Sequence, residues 1–333
     1  MTLSRPSSVL LISALLLLLL LAALLALSTG ATGFGLPRGK LGWLVFSQIR
    51  APRATLAALT GAVLAVSGAV MQGLFRNPLA DPGLIGVSSG AGLGAALMIV
   101  LGGGALGSGV LAAWAVPLGG MTGGLLATLL LYRFATRGGV TSTGMVILAG
   151  VALSAFAGAM TGILVFRAND TALRDLTFWT MGSLAGAGWT HIGLLLPFLL
   201  LAAIIFSGLA GPLNALLLGE ADAALMGCRV ERSKRLAMLG VALATGPVVA
   251  FVGVIGFIGV IVPHLVRLVT GPDHRIVLPG SALLGAVLLL TADTIARVIA
   301  SPADVPVGVV TAAIGAPLFV WLLAQVNEVE ISS

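Results

Sequence analysis

The sequence predicts an all-α polytopic membrane protein, a single bundle of about ten spanning helices per chain over residues 1–333. Three observations carry this. The chain is 59% hydrophobic and only 8% charged, where a soluble domain carries about 25% charged residues. Its mean hydropathy is +1.15. Its apolar runs, such as LLLLLLLAALLAL, lack the alternation that a transmembrane barrel strand requires.

The elements follow in order. Val9 to Leu27 is apolar except for Ser13, longer than the 7–15 residues of a signal-peptide core, and is read as a retained first span at 7–28. The second span, 54–74, repeats small residues every fourth position: Ala57, Gly61, Ala65, Ala69 and Gly73. Gly86, Gly90 and Gly94 do the same in the third, 84–102. Such ladders let helices approach closely in lipid, where packing drives association. Between these spans Pro78 and Pro82 stop one helix, and Asp81 is placed to cap the next. Further spans are expected at 111–132, 144–166, 191–211, 235–255, 257–270, 276–298 and 306–325. The stretch 257–270 is short for a crossing and reads as a partial or tilted helix inside the bundle. Glycines at 253, 256 and 259 loosen it, and Pro263 before His264 is expected to break it.

An even number of spans puts both termini on one side. With that side cytoplasmic, ten lysines and arginines fall inside and seven outside, which favours this orientation. The net charge of +6 is scattered between apolar runs, so it reads as loop arginines around a membrane and not as a nucleic-acid surface. One cysteine, Cys228, excludes an internal disulfide and a cysteine cage for metal.

Enzyme signatures are missing. The two lysines, Lys40 and Lys234, lie in no phosphate-cradling loop, and the three histidines are too dispersed for a local metal site. Buried carboxylates of the kind that carry coupling ions are also lacking. Asp293 is the main exception, and Arg297 follows it by four residues on the same helix face, where the two can pair. These absences argue against a membrane enzyme and against an ion-driven secondary carrier.

Charge concentrates in one place. GEADAALMGCRVERSKR, residues 219–235, holds seven of the 28 charged residues. It predicts a short helix that ends at Gly227, inside a polar loop at about residues 212–235.

Several stretches resemble the FecCD family of importer permeases: 51–95, 148–155, 181–186, GEADAALMG at 219–227, GFIGVIVPHLVRLVTGPDHR at 256–275, and 292–323. They occur in order over nearly the whole chain. The resemblance implies a permease subunit of a binding-protein-dependent ABC importer in the bacterial inner membrane. It implies a homodimer, two cytoplasmic ATPase subunits and a periplasmic substrate-binding protein. It implies no cofactor in this chain, ATP and magnesium being held by the ATPase partner.

Residue by residue, the resemblance assigns ATPase coupling to Glu220, Asp222, Leu225, Met226, Gly227 and Arg232. It assigns docking of the binding protein to Arg50, Arg53 and Arg297. A cytoplasmic gate is expected at Thr141, Ser142 and Thr143, in the turn before the fifth span. LRDLTFWTMGSLAGAGW, residues 173–189, resembles the haem-transporting branch more than the vitamin B12 branch, with Phe178, Trp179 and Met181 as expected cargo contacts. Haem is thus the expected cargo, with a ferric siderophore or vitamin B12 as the alternatives.

Overall fold

A computed structural model describes residues 8–30, 33–35, 37–102, 110–301 and 303–331. Arg5, one of the charges used for orientation, lies outside them. Among the described residues seven helices are long and apolar enough to cross a membrane, and three shorter apolar helices accompany them.

In chain order these are α1 (Ser8–Ser28), α2 (Gly39–Phe75), α3 (Val87–Gly102), α4 (Val110–Ala135) and α5 (Thr143–Arg167). A surface helix α6 (Asp170–Thr180) precedes α7 (Trp189–Ser207). Two short helices, α8 (Ala210–Leu216) and α9 (Glu220–Leu225), lead to α10 (Val230–Val252). The last three are α11 (Ile258–Thr270), α12 (His274–Ile299) and α13 (Val307–Ile331). Two minimal antiparallel ladders decorate the ends, β1 (Thr29–Gly30) with β2 (Gly33–Phe34), and β3 (Thr136–Arg137) with β4 (Val140–Thr141).

The second span is longer than 54–74. The helix begins at Gly39, and a π-helical turn at Phe46–Arg50 precedes Pro52. The wider turn accommodates a residue that lacks the N–H of a regular helix.

Helices α2, α10 and α12 form the buried centre. The small-residue ladder of α2 lies wholly in it, with Ala57, Ala65 and Ala69 fully buried. A β-carbon on Gly61 would stand 2.1 Å from the carbonyl oxygen of Gly285 on α12, so the two backbones touch there. A β-carbon on Gly94 would likewise stand 1.9 Å from the carbonyl oxygen of Gly119 on α4. Gly86 departs from the ladder. It caps a 3-10 turn, Pro82–Ile85, whose start is held by the Asp81 carboxylate accepting from Gly83 N at 2.7 Å.

The chain between α10 and α11 is not helical, and the break falls at Gly253–Phe257. Pro263 does not break α11, contrary to expectation. A proline leaves the carbonyl four residues earlier without its donor, here that of Gly259. Gln72 of α2 supplies the replacement, its Nε2 lying 3.4 Å from Gly259 O and 3.0 Å from Val260 O. Arg267 in turn donates to Gln72 Oε1, which fixes the amide.

At one end of the bundle α1 finishes on side chains from other helices. Arg297 donates to the carbonyls of Ala26 (3.2 Å) and Thr29 (3.1 Å), and Arg50 donates to Leu27 O at 3.1 Å. Carbonyls of a last helical turn have no partner within the helix; these arginines provide one. Helix α1 therefore packs against the bundle, with Ala22 and Ala26 buried.

Candidate functional site

Two clusters of charge stand at opposite ends of the helices. The Arg297 end lies beside Thr29, Gly35 and Asp304. Asp293 is fully buried, and its carboxylate meets Arg53 Nε at 3.0 Å and Arg297 Nε at 3.1 Å. Arg53 Nη1 also reaches Asp304 Oδ2 at 2.8 Å. Two arginines and two aspartates thus cancel. The pairing expected of Asp293 with Arg297 is present, and Arg53 joins it from 240 residues away.

Two of the three arginines assigned to docking lie in this cluster. Arg53 and Arg297 do not stand open at the surface; they are 9% and 4% exposed. Burying an ion in a medium of low polarity is costly unless it is paired and hydrogen-bonded, so their charge is turned inward. Arg50 is half-buried, and its Nη1 also donates to Gly35 O at 3.0 Å.

The Glu220 end holds the polar loop. Helix α9 starts after Gly219 and ends before Gly227, whose φ of +83° turns the chain into α10. Glu220 and Asp222 lie in its first turn, where carboxylates suit the helix dipole. Leu225 and Met226 are 86% and 66% exposed. Asp222 and Arg232 are exposed as well. An apolar tip on a charged loop is the kind of surface that marks a binding face.

The turn carrying Thr141, Ser142 and Thr143 lies against this loop. Thr141 N donates to Glu231 Oε2 at 2.9 Å, and Thr141 O accepts from Lys234 Nζ at 2.8 Å. Lys234 Nζ also donates to Glu220 Oε2 (2.7 Å) and Glu231 Oε1 (3.3 Å). Thr143 Oγ1 donates to Glu220 Oε1 at 3.4 Å. Ser142 caps α5 through Met145 N and is the exposed member of the three. The hydroxyls expected to seal a pore are in part committed elsewhere: Thr141 is 2% exposed.

Neither Lys234 nor Glu231 was singled out from sequence as a site residue. The available signal was an i, i+3 charge pair containing one of only two lysines.

The residues expected to touch cargo diverge. Phe178 and Met181 are 52% and 40% exposed. Trp179 is half-buried, its ring edge beside Gly92 and its carbonyl oxygen packed against Gly253. It serves packing between α6, α3 and the end of α10.

Near the same end as the loop, Asp273 accepts from Arg275 N at 2.9 Å and from Asn214 Nδ2 at 2.6 Å. These two hydrogen bonds, the backbone one first, hold its carboxyl below the ordinary carboxylate range. Asn214 Oδ1 in turn meets buried His274 Nδ1 at 2.9 Å. This pins α8 to the start of α12.

Residues 9–325 match the FecCD transport family. The chain belongs to the FecCD transport family. It is thereby a permease subunit of the type II ABC importer class. The chain is 43% identical over 286 residues to the hemin transport system permease protein HmuU of Yersinia pestis, covering 86% of this chain and 85% of that one. It is 44% identical over 284 residues to the vitamin B12 import system permease protein BtuC of Salmonella paratyphi A, 85% of each chain being covered. The cobalamin import system permease protein BtuC of Halobacterium salinarum is 43% identical over 290 residues, 87% of this chain and 75% of that one.

Among solved structures, a metal-chelate type ABC transporter in an inward-facing conformation superposes with a TM-score of 0.86 at 32% identity. The match covers 94% of this chain and 98% of the other. These FecCD relatives include permeases named for a porphyrin and for a corrinoid at equal similarity.

Proposed function

We propose that this permease moves haem inward across the bacterial inner membrane, as a homodimer driven by two cytoplasmic ATPase subunits and fed by a periplasmic binding protein. ATP and magnesium belong to the ATPase partner, and both termini of the permease are cytoplasmic. The observation that carries the reading is the exposed Leu225–Met226 tip of α9, in a chain whose family is an importer permease. In this reading α9 seats in an ATPase cleft through Glu220, Asp222, Leu225, Met226, Gly227 and Arg232. Closure of the ATPase pair moves α9 and exchanges access between the two faces.

Self-association is supported by α5. It leaves Ala155, Gly158, Ala159 and Gly162 exposed, and a β-carbon on either glycine meets nothing within 4 Å. A small-xxx-small face of this kind suits a second helix. The binding protein docks at the Arg297 end through Arg50, on a rim held by the Arg53–Asp293–Arg297–Asp304 cluster. Haem is favoured by the exposed Phe178 and Met181, in a chain similar to HmuU over most of both chains. Vitamin B12 is the second reading, carried by the equally similar BtuC relatives.

The test is reconstitution in liposomes with the ATPase and binding protein of the same system. The permease alone is expected to hydrolyse no ATP. The assembled complex is expected to hydrolyse faster with haem-loaded binding protein than with empty protein. Stimulation by cobalamin or a ferric siderophore, but not by haem, would overturn the cargo assignment. Uptake that persists without ATP and stops when the proton gradient collapses would overturn the importer mechanism.

A further inference from the structure

Lys234 is charged, sits on α10, and is only 3% exposed. A lysine ammonium has three N–H donors and shifts or unpairs at a cost when buried. Here it has three acceptors, each on a different element. Thr141 O belongs to the turn before α5, Glu220 Oε2 to the start of α9, and Glu231 Oε1 to α10 itself, at 2.8, 2.7 and 3.3 Å.

The two glutamates extend the network back to the same turn. Glu231 spends its other oxygen on Thr141 N, and Glu220 spends its other oxygen on the Thr143 hydroxyl. Both backbone polar groups of Thr141 are therefore held by charged side chains of the loop region. The β3–β4 ladder supplies the rest of the attachment, with Thr136 and Thr141 hydroxyls 3.0 Å apart. Helix α9 has few other fixed points: it has six residues, with Ala223 alone buried.

We infer that Lys234 is the positioning residue that carries a displacement of α9 into the start of α5, so that the loop and the Thr141–Thr143 turn move as one body. The inference rests on the importer reading above and names its transmission residue. The physical ground is the cost of the alternative. If α9 moved without the turn, the Lys234 ammonium would lose Glu220 or Thr141 while still buried, and an unpaired buried charge is strongly disfavoured. A displacement that keeps all three contacts avoids that penalty. A lysine that merely stabilised α10 would need only Glu231, three residues before it.

The experiment uses the assembled complex in liposomes. Val140→Cys and Ala221→Cys, both at exposed positions, carry spin labels after Cys228→Ser, and their separation is measured with and without a non-hydrolysable ATP analogue. In the parent complex the distance distribution is expected to stay narrow in both states. In Lys234→Met, which keeps the aliphatic stem, it is expected to broaden when nucleotide binds. Cargo moved per ATP hydrolysed is expected to fall about tenfold, within the ordinary range of coupling between sites, and Lys234→Arg is expected to recover most of it.

Glu220→Gln supplies a milder cut that keeps an acceptor but removes one of the two negative charges beside the lysine; it is expected to lower the same ratio. Either of two results would overturn the inference: a narrow distribution in Lys234→Met, or normal cargo per ATP in both variants. Failure of the parent permease itself to bind an ATPase would instead sink the importer reading, before any variant is compared.

Discussion

Nε of Arg53 lies 3.0 Å from Oδ1 of Asp293, and the aspartate has no exposed surface. The pair joins α2 to α12 where Gly61 and Gly285 bring their backbones into contact nearer the middle of the same helices. Removing one member of such a pair strands the other. Asp293→Leu leaves two buried guanidiniums with Asp304 as the remaining acid, and is expected to destabilise by about 3–5 kcal/mol. Arg53→Met/Asp293→Leu together are expected to cost less than the aspartate change alone. Thermal unfolding in detergent measures both. Additive losses would show that the two side chains are energetically independent.

The same geometry bears on docking. Reversing Arg53 or Arg297 to glutamate would place a second acid against Asp293, so loss of docking in such a variant would report damage to the cluster.

Gly227 turns the chain with φ at +83°, and an added β-carbon there meets nothing within 4 Å. Within the permease itself the cost of substitution is thus backbone strain, about 1 kcal/mol for a residue that avoids the left-handed region. Gly227→Val is expected to lower cargo moved per ATP, while Gly227→Asn, which tolerates this conformation, is expected to stay near the parent. Uptake and hydrolysis measured side by side decide it. Equal coupling in the two variants would remove the turn from the coupling path.

Asp81 is half-exposed to solvent yet closely surrounded by protein, and burial lifts its carboxyl above the ordinary carboxylate range, opposed by the Gly83 hydrogen bond. With the folded value raised, its contribution to stability is greatest at acid pH. That contribution declines as pH climbs from the unfolded carboxylate range through the raised value. Asp81→Asn keeps the acceptor and drops the charge, so at pH 7 it is expected to unfold at or above the parent temperature. Asp81→Ala loses the cap and is expected to cost roughly 0.5–2 kcal/mol. An asparagine variant less stable than the alanine one would contradict this.

Apolar run length made the seven long helices and the three shorter apolar ones of the described residues legible, because lipid demands helices of apolar composition. Spacing of four residues exposed the Asp293–Arg297 pair. Arg53 was not legible as their partner, since it approaches from 240 residues away and no local period records that. Lys234 escaped notice for the same reason, with Thr141 93 residues distant. The helical start at Gly39 was hidden by Lys40, Arg50 and Pro52, which read as loop letters; a π-turn accommodates the proline. Pro263 was read as a breaker because the compensating donor, Gln72, lies on another helix. In each case the missing information is a tertiary partner.

The arginine clasp on α1 has a temporal side. The ribosome delivers Ala26 and Thr29 some 270 residues before Arg297, so α1 waits in the bilayer with those two carbonyls still short of their donor, while Arg50 can already reach Leu27 O. Segments generally mature in the order they are made; here an early one is completed by a residue made some 270 positions later. A nascent chain halted before residue 297 would hold α1 as a loosely attached helix, free to drift from its neighbours until translation resumes.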